Sequence, residues 1–325
     1  MGAVGVPDTF PIKNYIPKST TGCHIIHSNA SWVLESSSFH PDDWDVPVDS
    51  IPDLSLDPEN FVLTAINTTP LYKSYFISVL HACTDRSGKS LKMGKNILED
   101  GSEQNLVTFI LILKPFQVLD LCYVEIEDIS VFQLFSDIKE LPSTWDYSLL
   151  GKSPNFTLPS ADIVGPYDFP LKSEDSGEFL CSQGMFGGLT HFYAHTCYAV
   201  DFECAVGTPV VAVANGTVHE IQQNNSVSGI HVNNLFLWNS IILKLEDGNY
   251  VEYVHIKQNS VVVNVGDSVV IGQKLCESGG VGFCPAPHLH IQFHKSPEEN
   301  APTIPFCLKD KNQKPYIPVA GGMYS

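Results

Sequence analysis

The chain has 325 residues, 43% of them hydrophobic and 17% charged, with a formal net charge of -18. That length can bury two sizeable cores, and an acidic balance of this size excludes a nucleic-acid-binding surface, which needs clustered Lys and Arg. It also works against electrostatic capture by an anionic cell wall, so wall contact has to come from shape and hydrogen bonding.

The first twenty residues, with three prolines, read as an irregular arm. M-G-A-V-G-V-P-D-T-F has neither the charged n-region nor the apolar h-region of a secretory leader. Nine cysteines and the five sequons at Asn29, Asn67, Asn155, Asn215 and Asn224 point the other way. Together they predict disulfides with one thiol left over, glycosylation, and a secreted or extracytoplasmic setting. The acidic H-P-D-D-W-D-V-P-V-D at 40–49 lacks calcium-loop spacing and reads as a solvated loop.

Short β-branched and aromatic runs at 61–67, 72–83, 106–113 and 117–126 predict the strands of an immunoglobulin-like β-sandwich. The apolar run at 106–113 is far shorter than the roughly 20 residues of a membrane-crossing helix. Residues 128–141 suit a short helix or a further strand. None of this half carries recognisable chemistry; substrate recruitment, partner binding or covering a cleft are the roles open to it. The Pro, Ser and Gly of 151–178 mark a connection. The expected organisation is an accessory β-sandwich over 1–160, a linker over 161–178 and a catalytic domain over 179–325, the whole chain mainly β.

Four residues of the C-terminal half carry the chemistry: Asp201 in Y-A-V-D-F, His255 in V-E-Y-V-H-I, and His288 and His290 in P-H-L-H. Side chains two apart in a strand share a face, so one short strand delivers both imidazoles of H-L-H to one cleft. A hydrolytic zinc takes three nitrogen and oxygen ligands and keeps a fourth position for water. Two histidines and one aspartate meet that need. A lone histidine ending an aromatic strand is more often a satisfied half-buried residue. A carboxylate in an apolar run, however, is costly unless paired or metal-bound, and Asp201 stands in one. His219, His231 and His294 belong to no motif and read as ordinary.

Around these positions the chain resembles the lysostaphin-type, LytM-like zinc endopeptidases, which cut the peptide part of bacterial peptidoglycan. The resemblance covers about residues 178–296: C-S-Q-G, G-G-L-T-H, Y-A-V-D-F, G-T-P-V-V-A-V-A-N-G-T-V, W-N-S-I-I-L-K, D-G-N-Y-V-E-Y-V-H-I, G-D-S-V-V-I-G-Q-K-L and P-H-L-H, in that order. It implies an antiparallel β-sheet peptidase domain holding one Zn2+ per chain, with Asp201 and His290 as ligands. His255 and His288 stand beside the metal as catalytic groups: His288 is the better candidate to accept or orient the proton of the attacking water and His255 to stabilise the oxyanion or protonate the leaving amine, and the sequence leaves open which of them does which. Compact members carry a histidine four residues before the aspartate, where this chain has Cys197. The third ligand is then His191, with His195 as the alternative and a Cys197 thiolate, better suited to a closed structural site, last. Peptidoglycan peptides are the implied partner, and loops such as 221–236 would set specificity. The competing reading is a catalytically inactive module that binds peptidoglycan or a protein; it predicts loss of one of the four fixed residues, and all four are present.

Overall fold

The computed structural model describes residues 9–12, 22–25, 33–39, 47–141, 156–159, 163–173 and 177–325. Most of the N-terminal arm, the acidic stretch 40–46, Asn29, Asn155 and part of 161–178 lie outside them. Among the described residues the chain is nearly all β, and its helical turns are three-residue 3-10 pieces such as Ile129–Val131 and Val232–Asn234. No helix among them is long and apolar enough to cross a membrane.

The chain divides into two compact units, one of Ser19–Leu149 with Gly229–Leu235, the other of Met1–Lys18, Leu150–Ser228 and Phe236–Ser325. In the first, Gln117–Val124 pairs with Glu35–Ser38, Val62–Ile66 and Cys83–Thr84, and Leu54–Leu56 extends that sheet. A second sheet runs Leu134–Glu140, Lys73–Val79, Glu103–Leu113, Gly94–Ile97. Leu63 and Ala65 from one sheet and Tyr75, Ile77, Phe109 and Leu111 from the other share a single core, in the alternation that a pleated strand imposes. Residues 134–140 take the strand alternative, because all seven pair in register with Lys73–Val79.

Gly229–Leu235 joins this unit although its neighbours in sequence do not. Thr108 Oγ1 donates to Ile230 C=O at 2.6 Å, Val232 N–H donates to Ser78 Oγ at 2.9 Å, and Asn234 Nδ2 donates to Asn96 Oδ1 at 2.7 Å. Part of the loop expected to flank the cleft is therefore anchored here.

The second unit is built on an antiparallel sheet in the order Ser268–Val269, Gly216–Gln222, Ser240–Leu245, Tyr250–Val254, His288–His294, Val200–Glu203, Phe179–Gln183, Met323–Tyr324. Gly216 is required where two strands close up: a Cβ there would lie 2.5 Å from the Lys244 carbonyl oxygen. The stretch 161–178 is not a free connection where it is described. Val164–Tyr167 pairs in parallel with Phe306–Lys309, and the Phe169 ring meets Phe202 edge-on at 4.9 Å. Its Pro and Gly signal an irregular path, but the aromatics between them, buried Tyr167 and half-buried Phe169, tie that path to the sheet.

The expected disulfides are not formed, and all nine cysteines are free thiols. Eight are buried, and they pack as small apolar residues; Cys197 and Cys284 direct their thiols to the carbonyls of Ala194 and Ala286. The glycan expected on Asn67 has no room either, because this side chain is fully buried and donates to the Leu71 and Lys114 carbonyls at 2.7 and 2.9 Å.

Candidate metal centre

His288–His294 is a central strand, paired on one edge with Val200–Glu203 and on the other with Tyr250–Val254. Its register sets Asp201 directly opposite His290, so the two side chains rise from the same face at adjacent positions. Asp201 Oδ1 lies 3.0 Å from His290 Nδ1. His191 arrives from the loop between the Phe179–Gln183 and Val200–Glu203 strands. It is fully buried, and its Nε2 lies 3.2 Å from both Asp201 Oδ1 and His290 Nδ1. A carbonyl only accepts, so the 3.0 Å contact with Gly184 C=O places a proton on His191 Nδ1 and leaves Nε2 as the lone pair facing the cluster.

These three side chains form a group whose ligand atoms lie within 4.8 Å of one another. Asp201 Oδ1 is buried with no hydrogen-bond donor. An orphaned, buried carboxylate oxygen between two imidazole nitrogens is costly as it stands and is what a cation relieves, and N, N, O is a donor set suited to zinc. The residues fit the metal.

Gln183 was not singled out in the sequence beyond its place in C-S-Q-G, yet it holds the carboxylate. It is buried, and its Nε2 donates to Asp201 Oδ2 at 2.7 Å while its Oε1 accepts from the N–H groups of Leu189 and Thr190, each at 3.0 Å. The signal was only positional: residue 183 pairs with 201 across the strands, a relation visible once the register is known.

His255 and His288 stand beside the cluster with ring centroids 4.7 Å apart. Each is anchored through Nδ1–H to a backbone carbonyl, His255 to Val281 at 2.7 Å and His288 to Ala286 at 2.8 Å, which leaves Nε2 of each for other partners. His255 sits at φ 61°, a left-handed conformation uncommon for a residue with a side chain and often found at functional sites. His288 Nε2 lies 3.7 Å from Asp201 Oδ1.

Burial, reinforced by the neighbouring His288 and His290, holds His255 well below the usual imidazole range, and burial also lowers His191. Burial would lower His288 too, but the Cys284 sulfur 3.4 Å away and the Asp201 carboxylate outweigh it and raise the group to about 10. Burial opposes ionisation of Asp201, yet His191 and His288 hold it well below the usual carboxylate range.

The remaining candidates stand elsewhere. His195 stacks on Tyr193 at 5.4 Å, outside the cluster, and the Cys197 sulfur is 3.4 Å from Thr303 Oγ1. His294 donates through Nδ1 to the Ala301 carbonyl, and His219 meets Tyr250 edge-on. On the same face as His290, a cavity of about 410 Å³ is lined by Glu220, Trp238, Tyr250, Glu252, Gln292 and His294 among others.

Residues 195–303 match the model of Peptidase family M23, a span holding Asp201, His255, His288 and His290, with Gln183 and His191 just before it. Glycyl-glycine endopeptidase ALE-1 of Staphylococcus capitis is 38% identical over 96 residues, 29% of this chain and 24% of that protein. An uncharacterized metalloprotease of Haemophilus influenzae is 32% identical over 95 residues, 29% of this chain and 18% of that protein. Among solved structures, the catalytic domain of lysostaphin from Staphylococcus simulans is 31% identical and covers 39% of this chain and 83% of that chain, with a TM-score of 0.27. The chain spans less than a quarter of the length of the two curated relatives, at 24% and 18%.

Proposed function

With residues 195–303 a Peptidase family M23 domain, we propose that the protein is a zinc-dependent endopeptidase that hydrolyses peptide bonds in bacterial peptidoglycan, in its cross-links or stem peptides. The observation that carries the reading is the orphaned Asp201 Oδ1 set between His191 Nε2 and His290 Nδ1. His191, Asp201 and His290 would hold the ion. When bound, Zn2+ supplies a Lewis acid and a water acidified toward a pKa of ~7.

The chain's own groups do the rest. Gln183 occupies Asp201 Oδ2 and so commits Oδ1 to the cation. His255, neutral and tied through Nδ1–H to Val281, accepts the proton of the attacking water at Nε2. His288, which retains its proton, stabilises the developing oxyanion and delivers the proton to the leaving amine. The sequence leaves the division between the two imidazoles open; the thiol and carboxylate neighbours of His288 favour its imidazolium, and burial disfavours one at His255, which supports this assignment. Action on cell-wall peptides would call for a secreted or extracytoplasmic setting.

Elemental analysis combined with mass identification of fragments from peptidoglycans of different bridge chemistry tests the proposal. His255→Ala and His288→Ala should retain zinc and lose turnover. His191→Ala should lose zinc, whereas His195→Ala should keep both. A wild-type chain that binds zinc and releases no fragment from any peptidoglycan would leave the binding-module reading in its place.

A further inference from the structure

His290 turns Nδ1 toward Asp201 and His191, and the other ring nitrogen explains why. His290 Nε2 lies 3.0 Å from Gln292 Oε1, and Gln292 Nε2 donates to Glu252 Oε2 at 2.8 Å. All three residues are buried. Glu252 is the direct cross-strand partner of Gln292, and Gln292 shares the face of His290 two residues on.

Donor and acceptor chemistry then runs one way along the chain. A carboxylate only accepts, so Glu252 draws the Gln292 amide nitrogen toward itself. The amide oxygen is thereby turned to His290, and because it also only accepts, the imidazole proton must reside on Nε2. Nδ1 is left as a lone pair aimed at Asp201 and His191. With the amide reversed, the NH2 group would face His290, the proton would move to Nδ1, and the site would present an N–H where a cation needs a donor.

Resting on the metal-site reading above, we propose that Glu252 is a positioning residue: acting through Gln292, it fixes the His290 tautomer and so sets the metal affinity of the centre. The bland alternative is an ordinary cross-strand pair that satisfies two buried polar side chains and affects stability alone.

Two measurements on the full chain decide it. Long-range nitrogen–proton NMR on the metal-free wild type should show His290 protonated at Nε2; protonation at Nδ1 overturns the proposal. Competition with a chromophoric zinc chelator should show Glu252→Leu and Gln292→Leu binding zinc about 10- to 100-fold more weakly, the usual cost of losing a partner behind a ligand. The exchanged pair, Glu252→Gln with Gln292→Glu, keeps an acceptor against His290 Nε2–H and an amide donor behind it. It should bind zinc within about threefold of wild type. Leucine variants that bind zinc as tightly as wild type, or an exchanged pair as weak as they are, reduce the chain to a stability role. A wild-type protein that binds no zinc at all refutes the metal site itself, a separate failure.

Discussion

Gln183 Nε2 donates to Asp201 Oδ2 at 2.7 Å, and this one bond divides the carboxylate into an oxygen held by the protein and an oxygen, Oδ1, left without a donor. The arrangement gives the centre its direction, because Asp201 has no rotational freedom to turn Oδ1 away from His191 and His290.

Gln183→Leu should therefore damage both stability and metal binding. The substitution strands the Leu189 and Thr190 N–H groups and leaves Asp201 Oδ2 unpaired in a buried site. Each orphaned group costs about 1–3 kcal/mol, more where a charge is involved. Urea unfolding with and without zinc checks it: the variant should unfold earlier in both conditions, and its gain in midpoint on adding zinc should be smaller than that of wild type.

The pH dependence of the metal-free protein follows from opposing signs. His191 and His255 are held neutral in the fold, so an unfolded chain takes up protons there below about pH 6.5 and the folded chain does not. Stability therefore falls on acidification through that range. His288 acts in the opposite sense: raised to about 10, it stabilises fully below the unfolded value of ~6.5 and loses that contribution as pH climbs toward its folded value. Asp201, held low, keeps its contribution until pH falls below about 3.9. Urea midpoints of chelator-treated protein across roughly pH 5–9 should pass through a maximum near neutrality. A midpoint that rises or falls steadily across that range refutes the assignment of charges.

His255 separates backbone from chemistry. At φ 61° its conformation costs an ordinary L-residue about 1–2 kcal/mol, less for Asn and more for a β-branched residue. His255→Asn and His255→Val should both abolish hydrolysis, while the Val variant alone should lose about 1–2 kcal/mol further in urea unfolding. Equal stability of the two would mean that the left-handed backbone is not imposed by the surrounding structure.

The division between what the sequence disclosed and what it hid has a physical basis. Asp201, His255, His288 and His290 were legible because their chemistry is local: an H-x-H pair on a period-two strand and a carboxylate in an apolar run. Gln183, Gln292 and Glu252 were not, because an amide or carboxylate acquires its role from the partner across a strand, and register is a tertiary property. The same holds for Gly229–Leu235, whose membership in the other unit depends on Ser78 and Thr108, more than a hundred residues earlier. A cysteine count cannot distinguish buried thiols from bridges, and the composition of 161–178 concealed the aromatics that bind it to the sheet.

Tyr167 is the sharpest case, since it lies in the stretch read as a linker. Its hydroxyl donates to Asp247 Oδ2 at 2.6 Å and accepts from Asn249 Nδ2 at 3.0 Å, and its ring stacks on Phe293 with centroids 4.6 Å apart. Phe293 belongs to the His288–His294 strand but, as an odd position, faces away from the ligands. Tyr167→Phe keeps the ring and should cost about 1–2 kcal/mol through the two lost hydrogen bonds. Tyr167→Ala also empties the space against Phe293 and should cost about 3–5 kcal/mol. Because the contact lies on the opposite face from the centre, zinc affinity of the folded Phe variant should match wild type. A flexible connection would give no change in urea midpoint for either substitution, so the graded loss, measured beside unchanged zinc binding, distinguishes a structural strand from a linker.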